Sequence, residues 1–199
     1  MHIPDGYLGP ATCGVFYAAM APIWMAASRT LKRTLKARQV PLLGIGAAFS
    51  FVIMMFNVPI PGGTTGHAVG AVLAAILLGP WAACIAVTAA LVVQALLFGD
   101  GGITALGANC FNMAFIEVFA GYYIYRLIGA GAPATSGRRV VAAGIAGYVA
   151  LNLAALSAAD IPVMAAYLLL IGLLFVVINL AVDLLYFAVD PRLRNQVGS

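Results

Sequence analysis

Charged residues are scarce in this sequence. Of its 199 residues, 8% are charged and 64% are hydrophobic, whereas a soluble domain is about 25% charged. A soluble fold of this length keeps a large part of its surface in water, and this chain has too few polar side chains to cover that surface. The composition therefore excludes a soluble enzyme, a disordered chain and a nucleic-acid-binding protein.

Cysteine and histidine are also rare, with three and two copies. Cys13, Cys84 and Cys110 lie far apart in apolar stretches and form no CxxC spacing, so we expect neither a disulfide framework nor a structural zinc site. The motifs GxxxxGK[ST], HExxH and GxSxG are missing from the sequence. No basic residue precedes the first apolar run, so no cleavable signal peptide is expected. We predict a chain without enzymatic activity and without an organic cofactor.

Long apolar runs are abundant instead. At about 20 residues per membrane crossing, the chain has room for about seven transmembrane helices, which predicts an all-α, polytopic integral membrane protein. We expect one membrane domain without β-strands, made of a tail (1–9), a first helix (10–28) and a six-helix core (40–189). Hydropathy and Gly/Pro breakers place the core helices at residues 40–58, 66–78, 81–98, 104–128, 138–156 and 161–189. The helix over 66–78 is too short to span a membrane, so it is either a half-helix or packed against its neighbours.

The basic residues indicate the orientation of these helices, because Lys and Arg concentrate in cytoplasmic loops. With seven helices, all ten fall on one side of the membrane: Arg29, Lys32, Arg33, Lys36, Arg38, Arg126, Arg138, Arg139, Arg192 and Arg194. The opposite side carries Asp5, Asp100 and Asp160. We therefore predict an external N-terminus and a cytoplasmic C-terminus.

This orientation places both histidines, His2 and His67, on the outer side. The α-amine of Met1, the amide nitrogen of His2 and the His2 imidazole can chelate one metal ion in two fused rings. The imidazole of His67, which follows a glycine-rich loop at the predicted start of the short helix, would complete four nitrogens in a plane. Ni(II) and Cu(II) prefer square-planar nitrogen ligands. Taken singly, each histidine has an ordinary alternative role: His2 as a solvated terminal residue, and His67 as a hydrogen-bonded residue at a helix start.

Three segments of the sequence resemble one known family. The opening "MHIPDGYLGP", the loop "PGGTTGH" and the run "ALGANCFNMAF" are similar to the CbiM/NikM family, the substrate-specific subunits of energy-coupling-factor transporters for cobalt and nickel. The similarity extends from Met1 to about Ile128, and beyond the sixth predicted helix only the hydropathy agrees.

The resemblance implies that this chain binds Ni²⁺ or Co²⁺ as a transported substrate through Met1, His2 and His67. It also implies a place in the inner (cell) membrane of a prokaryote. The implied partners are a transmembrane coupling subunit, two cytoplasmic ATPase subunits and a small accessory membrane subunit. The metal preference stays open, with nickel favoured by planar nitrogen ligation and a cobalt-specific subunit for cobalamin synthesis as the alternative.

A ligating imidazole usually donates its other N–H group to a nearby polar group. Polar residues predicted on the outer side are candidates for that role: Asp5, Asn57, Thr64, Thr65, Asn109 and Asn112. Asp5 has an alternative role as the cap of the first helix, and a threonine of the glycine-rich loop is a candidate cap for the short helix. We expect Glu117 to form a hydrogen bond between helices and Asp183 to pair with a cytoplasmic arginine.

A different class of function also fits a chain with a short helix and a Pro/Gly-rich entrance. A facilitative channel for a small neutral solute is often lined by broken helices. That alternative gives no role to a histidine at position 2. Adding a residue ahead of Met1 separates the two hypotheses, because only metal chelation needs the free α-amine.

Overall fold

The computed structural model describes residues 2–60 and 64–157, with a few helical positions between 173 and 182. Helices dominate these residues, and one short antiparallel hairpin lies among them. The elements in chain order are α1 (Pro10–Thr34), α2 (Val40–Met54), β1 (Val58–Ile60), β2 (Thr64–Gly66), α3 (Ala71–Leu78), α4 (Pro80–Val93), α5 (Leu106–Asn109), α6 (Val118–Ile128) and α7 (Gly137–Ser157). π-Helical turns extend α4 (Gln94–Phe98) and join α5 to α6 (Cys110–Glu117).

Helix α1 begins at Pro10 as predicted and ends at Thr34, beyond the predicted end at residue 28. Proline is favoured in the first turn of a helix because the N–H group that it lacks has no partner there. The last turn contains Lys32 and Arg33, whose positive charges interact favourably with the C-terminal end of the helix dipole. The end of the apolar run at residue 28 is therefore not the end of the helix. The hydrogen-bonded helix continues into polar sequence as far as Thr34.

The segment after α2 forms strands, which the sequence analysis did not expect. Helix α2 ends at Met54, and β1 then pairs with β2 in the register Val58↔Gly66 and Ile60↔Thr64. β-Branched residues are frequent in both strands, and such residues favour extended backbone. The prediction of a helix to residue 58 was therefore wrong, because apolarity alone does not separate a buried helix end from a short strand.

The short helix α3 starts at Ala71 and not at residue 66, so His67 lies in the loop before it. Gly70 precedes the helix with φ = +75°, a left-handed conformation that favours glycine, and no side chain caps this end. A threonine cap is therefore not formed. The C-terminal end at Gly79-Pro80 is confirmed. One face of α3 is buried, and Val72 packs against Gly121 of α6, as expected for a helix that packs on its neighbours.

Small side chains allow the helices to approach closely. Met20 of α1, Met54 of α2 and Val118 of α6 meet alanines of α3 and α4 in the main core cluster. A Cβ atom on Gly107 would lie 2.8 Å from the backbone nitrogen of Tyr17, so α1 and α5 touch through their backbones. This contact brings the residues before α1 next to the loop that precedes α5.

Three helices of the described residues are long and apolar enough to cross a membrane: Pro10–Thr34, Pro80–Phe98 and Gly137–Ser157. Val40–Met54 is a shorter apolar helix. The predicted seventh helix (161–189), with Asp160 and Asp183, lies outside the continuously described residues. All three cysteines are buried and free, which confirms their assignment as core residues.

Candidate metal centre

The two histidines of the sequence lie against each other. The ring centroids of His2 and His67 are 4.9 Å apart, with an angle of 26° between the ring planes. The His2 side chain is 3% exposed, and His67 is 4% exposed. Neither is a solvated surface residue, and the contact joins the N-terminal tail to the loop between β2 and α3.

The tail is held in place by Asn109, one of the predicted supporting residues. The backbone N–H of Ile3 donates to Oδ1 of Asn109 (2.8 Å), and Nδ2 of Asn109 donates to the Ile3 carbonyl (3.1 Å). The amide of Gly102 also donates to that carbonyl at 2.9 Å. The Ile3 side chain is buried with Ala105 and Ala108. These contacts fix the backbone directly after His2.

Asp5 forms a second attachment of the tail. Its carboxylate accepts hydrogen bonds from the backbone N–H of Thr104 (2.8 Å), the backbone N–H of Ile103 (3.2 Å) and the hydroxyl group of Thr104. These bonds, led by the one from the Thr104 hydroxyl, hold the pKa of Asp5 below its usual value. Helix α1 has Gly9 as its N-cap residue, without a side-chain cap. Asp5 therefore attaches the tail to the loop before α5 and does not cap α1.

Asp100 was predicted to lie on the outer side, but its contact with His2 was not predicted from the sequence. His2 Nδ1 lies 3.0 Å from Oδ1 of Asp100, and this hydrogen bond is the main reason that the pKa of Asp100 is lowered. The next glycine, Gly101, has φ = +97°, and a Cβ atom there would lie 3.1 Å from the His2 Cβ. The turn GDGG was a usable signal, because it places an acidic side chain between glycines that allow close approach.

His67 is held as a neutral imidazole. Its Nδ1 lies 3.2 Å from the carbonyl oxygen of Ala68, which favours a proton on Nδ1 and a free lone pair on Nε2. Burial, followed by the proximity of His2, lowers the pKa of His67 to about 4. The ring therefore stays uncharged at neutral pH, as a metal ligand must be.

Each histidine has one nitrogen without a hydrogen-bond partner among the described residues. The atoms are Nε2 of His2 and Nε2 of His67, and both are fully buried. Buried polar atoms in folded proteins are nearly always paired, so two unpaired nitrogens on stacked rings indicate a position for a ligand. Within the described residues, no group of three His, Cys, Asp or Glu side chains is arranged to hold a metal ion. The predicted ligand set contains only two such side chains, with Met1 lying outside the described residues.

Two of the other predicted supporting residues, Asn57 and Asn112, form no hydrogen bond to the histidines among the described residues. Asn112 accepts a hydrogen bond at Oδ1 from the Ser157 hydroxyl (2.9 Å), which joins the π-helical segment to α7. Asn57 is exposed. Thr64 and Thr65 form β2 through their backbones. Glu117 is 4% exposed, and no described residue bonds its Oε2, so the predicted bond between helices is not formed within this part of the chain.

Comparison with known proteins identifies the class of protein to which this fold and site belong. Residues 2–187 match the sequence profile of the CbiM family, described as a cobalt uptake substrate-specific transmembrane region. The chain is 57% identical over 159 residues to the fused nickel transport protein NikMN of Rhodobacter capsulatus, covering 80% of this chain and 46% of that protein. It is 35% identical over 128 residues to the cobalt transport protein CbiM of a Roseiflexus species, covering 63% and 51%.

A solved structure agrees with these sequence relatives. The crystal structure of a truncated transition metal transporter matches with a TM-score of 0.74 and 57% sequence identity, over 80% of this chain and 72% of that one. The chain belongs to the CbiM family, which confirms the resemblance seen in its sequence. It spans about half the length of the two curated relatives named above.

Proposed function

We propose that this protein is the substrate-binding membrane subunit of an energy-coupling-factor transporter that takes up Ni²⁺, with Co²⁺ as the alternative substrate. The ligands in this proposal are the α-amine of Met1, the amide and imidazole nitrogens of His2, and the imidazole of His67. The single observation that supports it most is the contact between the two histidine rings, which brings the buried Nε2 of His67, without a partner among the described residues, next to His2.

Preorganisation of the ligands also supports the proposal. Asn109 and Asp5 fix the tail at residues 3 and 5, so the chain has already lost the conformational entropy that a free tail would lose on binding metal. His67 is uncharged near neutral pH because its pKa is about 4. One imidazole ligand therefore needs no deprotonation before it binds the ion.

Asp100 acts on the metal through His2 in this proposal. A chelate ring through the amide nitrogen of His2 closes on Nδ1, because Cα, Cβ and Cγ then complete a six-membered ring with the metal. Nδ1 is the atom that contacts Asp100 before the metal binds. We infer that Nδ1 exchanges this hydrogen bond for the metal, and that the Asp100 carboxylate stays close enough to stabilise the divalent charge.

Four nitrogen donors in a plane favour nickel over cobalt. Nitrogen sites bind divalent metals in the order Co²⁺ < Ni²⁺ < Cu²⁺, and Ni(II) accepts square-planar geometry readily. Relatives of this chain carry both metals in their names, as nickel and as cobalt transport proteins. The donor set therefore assigns nickel to this chain in the proposal, and a titration with both ions tests it.

Transport then needs energy from other subunits, since the sequence has no nucleotide-binding loop of the GxxxxGK[ST] type. We propose that a coupling membrane subunit and two cytoplasmic ATPases supply that energy, with a small accessory membrane subunit. The outer face would take up the hydrated ion, replace its water molecules by the four nitrogens and close around it. ATP hydrolysis by the partners would then drive release on the cytoplasmic side.

Addition of one glycine ahead of Met1 tests the proposal. This change keeps every side chain but moves the α-amine away from the His2 chelate, so we expect loss of nickel binding in calorimetric titration of the purified protein. The matched control carries the same added glycine after Ser199 and is expected to bind like the starting protein. Unchanged nickel affinity in the first variant would contradict the ligand set. Solute uptake without metal binding would instead support a facilitative channel.

A further inference from the structure

A polar cavity of about 420 Å³ lies where α3, α6 and α7 meet, at the opposite end of α6 from the histidines. Tyr122, Tyr125 and Arg126 line it from α6, Arg139 lines it from α7, and the turn 129–131 closes one side. We call it the arginine cavity. It lies on the face that the basic residues predict to be cytoplasmic.

The loop beside the cavity is fixed by side chains that cap the end of α6. Arg138 Nε donates to the Ile128 carbonyl at 2.7 Å, and Arg139 Nε donates to the Ala132 carbonyl at 2.9 Å. Gly131 adopts φ = +71° in this loop. These bonds hold the turn beside the cavity, where the Gly129 carbonyl also accepts the backbone N–H of Ala132 at 3.1 Å.

The polar side chains that line the cavity are two arginines and two tyrosines, which pair with each other. Arg139 Nη1 donates to the Tyr125 hydroxyl at 3.3 Å, and Arg126 Nη1 donates to the Tyr122 hydroxyl at 3.4 Å. Each guanidinium group has five N–H donors and no acceptor, so most of them are still available. Each tyrosine oxygen already accepts a bond, which leaves its own O–H proton to donate. A ligand that fits this set is an anion with several acceptor oxygens.

No acidic side chain of the described residues meets these arginines. The described acidic residues are Asp5 and Asp100 at the metal centre and Glu117 in the π-helical segment, and none pairs with Arg126 or Arg139. The two guanidinium groups hence bring two positive charges into one cavity without an anion from this part of the chain. Arginine binds phosphate oxygens in a bidentate manner.

The neighbours of the arginines are apolar and exposed, which favours a lipid over a soluble anion. Leu127 follows Arg126 and is 77% exposed, and Val140 follows Arg139 and is 74% exposed. Tyr123, which follows Tyr122, is also exposed, and tyrosine is typical of the membrane interface. Donors in the cavity, with exposed apolar side chains next to them in the chain, match a headgroup that is attached to acyl chains.

We propose that the arginine cavity binds the phosphate group of an anionic phospholipid, with Arg126 and Arg139 as the phosphate ligands and the acyl chains against Leu127 and Val140. Tyr122 and Tyr125 orient the two guanidinium groups and donate to the headgroup. Basic clusters at the cytoplasmic surface are attracted to anionic lipid in general. Here the cavity adds a defined place for one headgroup.

Native mass spectrometry of the full chain measures this binding. The protein is transferred from detergent after incubation with phosphatidylglycerol or phosphatidylcholine, and the retained lipid is counted for each. The test variant combines Arg126→Gln with Arg139→Lys. The matched control is Arg29→Gln, which removes an exposed basic residue at the end of α1, outside the cavity. Melting temperatures with each lipid show whether all variants remain folded.

We expect phosphatidylglycerol to be retained about tenfold more than phosphatidylcholine, the double variant to lose that preference, and Arg29→Gln to keep it. Equal retention of both lipids, or equal loss in the control, would overturn the proposal. Displacement of the lipid by millimolar inorganic phosphate would identify a free-phosphate site and overturn the lipid assignment. Lipid preference that appears only after Asp183→Asn would show that the chain fills the cavity with its own carboxylate, and would also overturn it.

Discussion

The candidate metal centre and the arginine cavity lie at opposite ends of the segment from α5 to α6, and their ionisable side chains differ in burial and charge. At the candidate metal centre, two imidazoles are buried, each has one nitrogen without a partner among the described residues, and burial lowers the pKa of His67 to about 4. In the arginine cavity, two guanidinium groups remain charged, contact tyrosines and keep access to solvent. The first arrangement offers lone pairs to a cation, and the second offers N–H donors to an anion.

The difference shows how a chain with so few charges builds two polar sites. Burial of an ionisable group disfavours its charged form, so a buried histidine becomes a neutral ligand. An arginine stays protonated at any ordinary pH, so it suits the membrane interface, where water and lipid headgroups stabilise its charge. The protonation behaviour of the residue type therefore fits the ligand proposed for each end.

His67→Ala is expected to have the largest effect of the changes to the two sites, which is a loss of nickel affinity. Loss of a partner beside a metal ligand typically costs about 10–100-fold in affinity, so loss of a ligand is expected to weaken nickel binding by at least about 100-fold. Calorimetric titration measures this, and His67→Gln serves as a second variant that retains side-chain volume. Arg29→Gln is the control and is expected to bind nickel normally. Nickel affinity within threefold of the starting protein in both His67 variants would remove this residue from the ligand set.

Acidification is expected to have the next largest effect, because it lowers nickel affinity and leaves lipid binding in the arginine cavity unchanged. Chelation by the Met1 amine and the His2 amide releases protons, so nickel affinity falls by at least about tenfold for each pH unit below the α-amine pKa of about 7.7–8.0. The pKa of His67 is about 4, below its usual 6.5, so His67 adds to this loss only near pH 4. Arginine stays charged throughout, and lipid retention is expected to be unchanged.

The same shift has a consequence for stability. Between pH 6.5 and 4 the unfolded chain protonates His67 and the folded chain does not, so stability falls as the pH is lowered through that range. Titrations at pH 8, 7, 6 and 5 and melting curves over pH 7 to 4 measure both effects. A nickel affinity that is constant from pH 8 to 6 would argue against amine and amide ligands.

Asp100→Asn is expected to weaken nickel binding by about tenfold. The asparagine frees His2 Nδ1 from a charged acceptor, which favours binding by about the net value of a hydrogen bond, 1 kcal/mol. It also removes a negative charge beside a divalent ion, and loss of a partner beside a metal ligand typically costs about 10–100-fold in affinity. The charge effect is larger, so affinity falls. Tighter binding by this variant would show that Asp100 mainly restrains His2.

Asn109→Ala is expected to give the smallest change in affinity, of several-fold, together with lower stability. The Ile3 N–H group loses its acceptor in a buried position, which costs about 1–3 kcal/mol, while the Ile3 carbonyl keeps its bond from Gly102. Chemical denaturation of the metal-free protein measures the first effect and titration the second. Asn152→Ala is the control, because the one hydrogen bond of its side chain within the described part of the chain goes to the Tyr148 carbonyl in the same helix. An equal loss of stability in the control would show that the contact to Ile3 has no special role.

Much of the fold was predictable from local sequence. The start of α1 at Pro10 and the break at Gly79-Pro80 follow from the backbone restrictions of proline and glycine. The hairpin of β1 and β2 was not predictable in the same way, since its strands are three residues long and their pairing is a contact between segments. The position of His67 four residues before α3 depends on that hairpin.

The candidate site was predictable in its residue types and only partly in its contacts. His2, His67, Asp5 and Asn109 were singled out from the sequence, and the structure places all four at the N-terminal tail or beside it. Asn57 and Asn112, which looked equivalent by topology, form no hydrogen bond to the histidines among the described residues. Asp100 was one of three acids predicted on the outer side, and its distance to His2 Nδ1 shows that it is the one in contact with that histidine.

The sequence by itself determined a helical membrane protein of the CbiM family, because hydropathy and short motifs are local properties of a chain. It also assigned the basic residues to one side under the predicted topology. Only the tertiary structure decided that the tail folds onto the loop before α3, that the imidazoles of His2 and His67 stack, and that two arginines share a cavity. Such contacts join residues far apart in the chain, and they depend on how whole helices pack rather than on the preferences of any one segment.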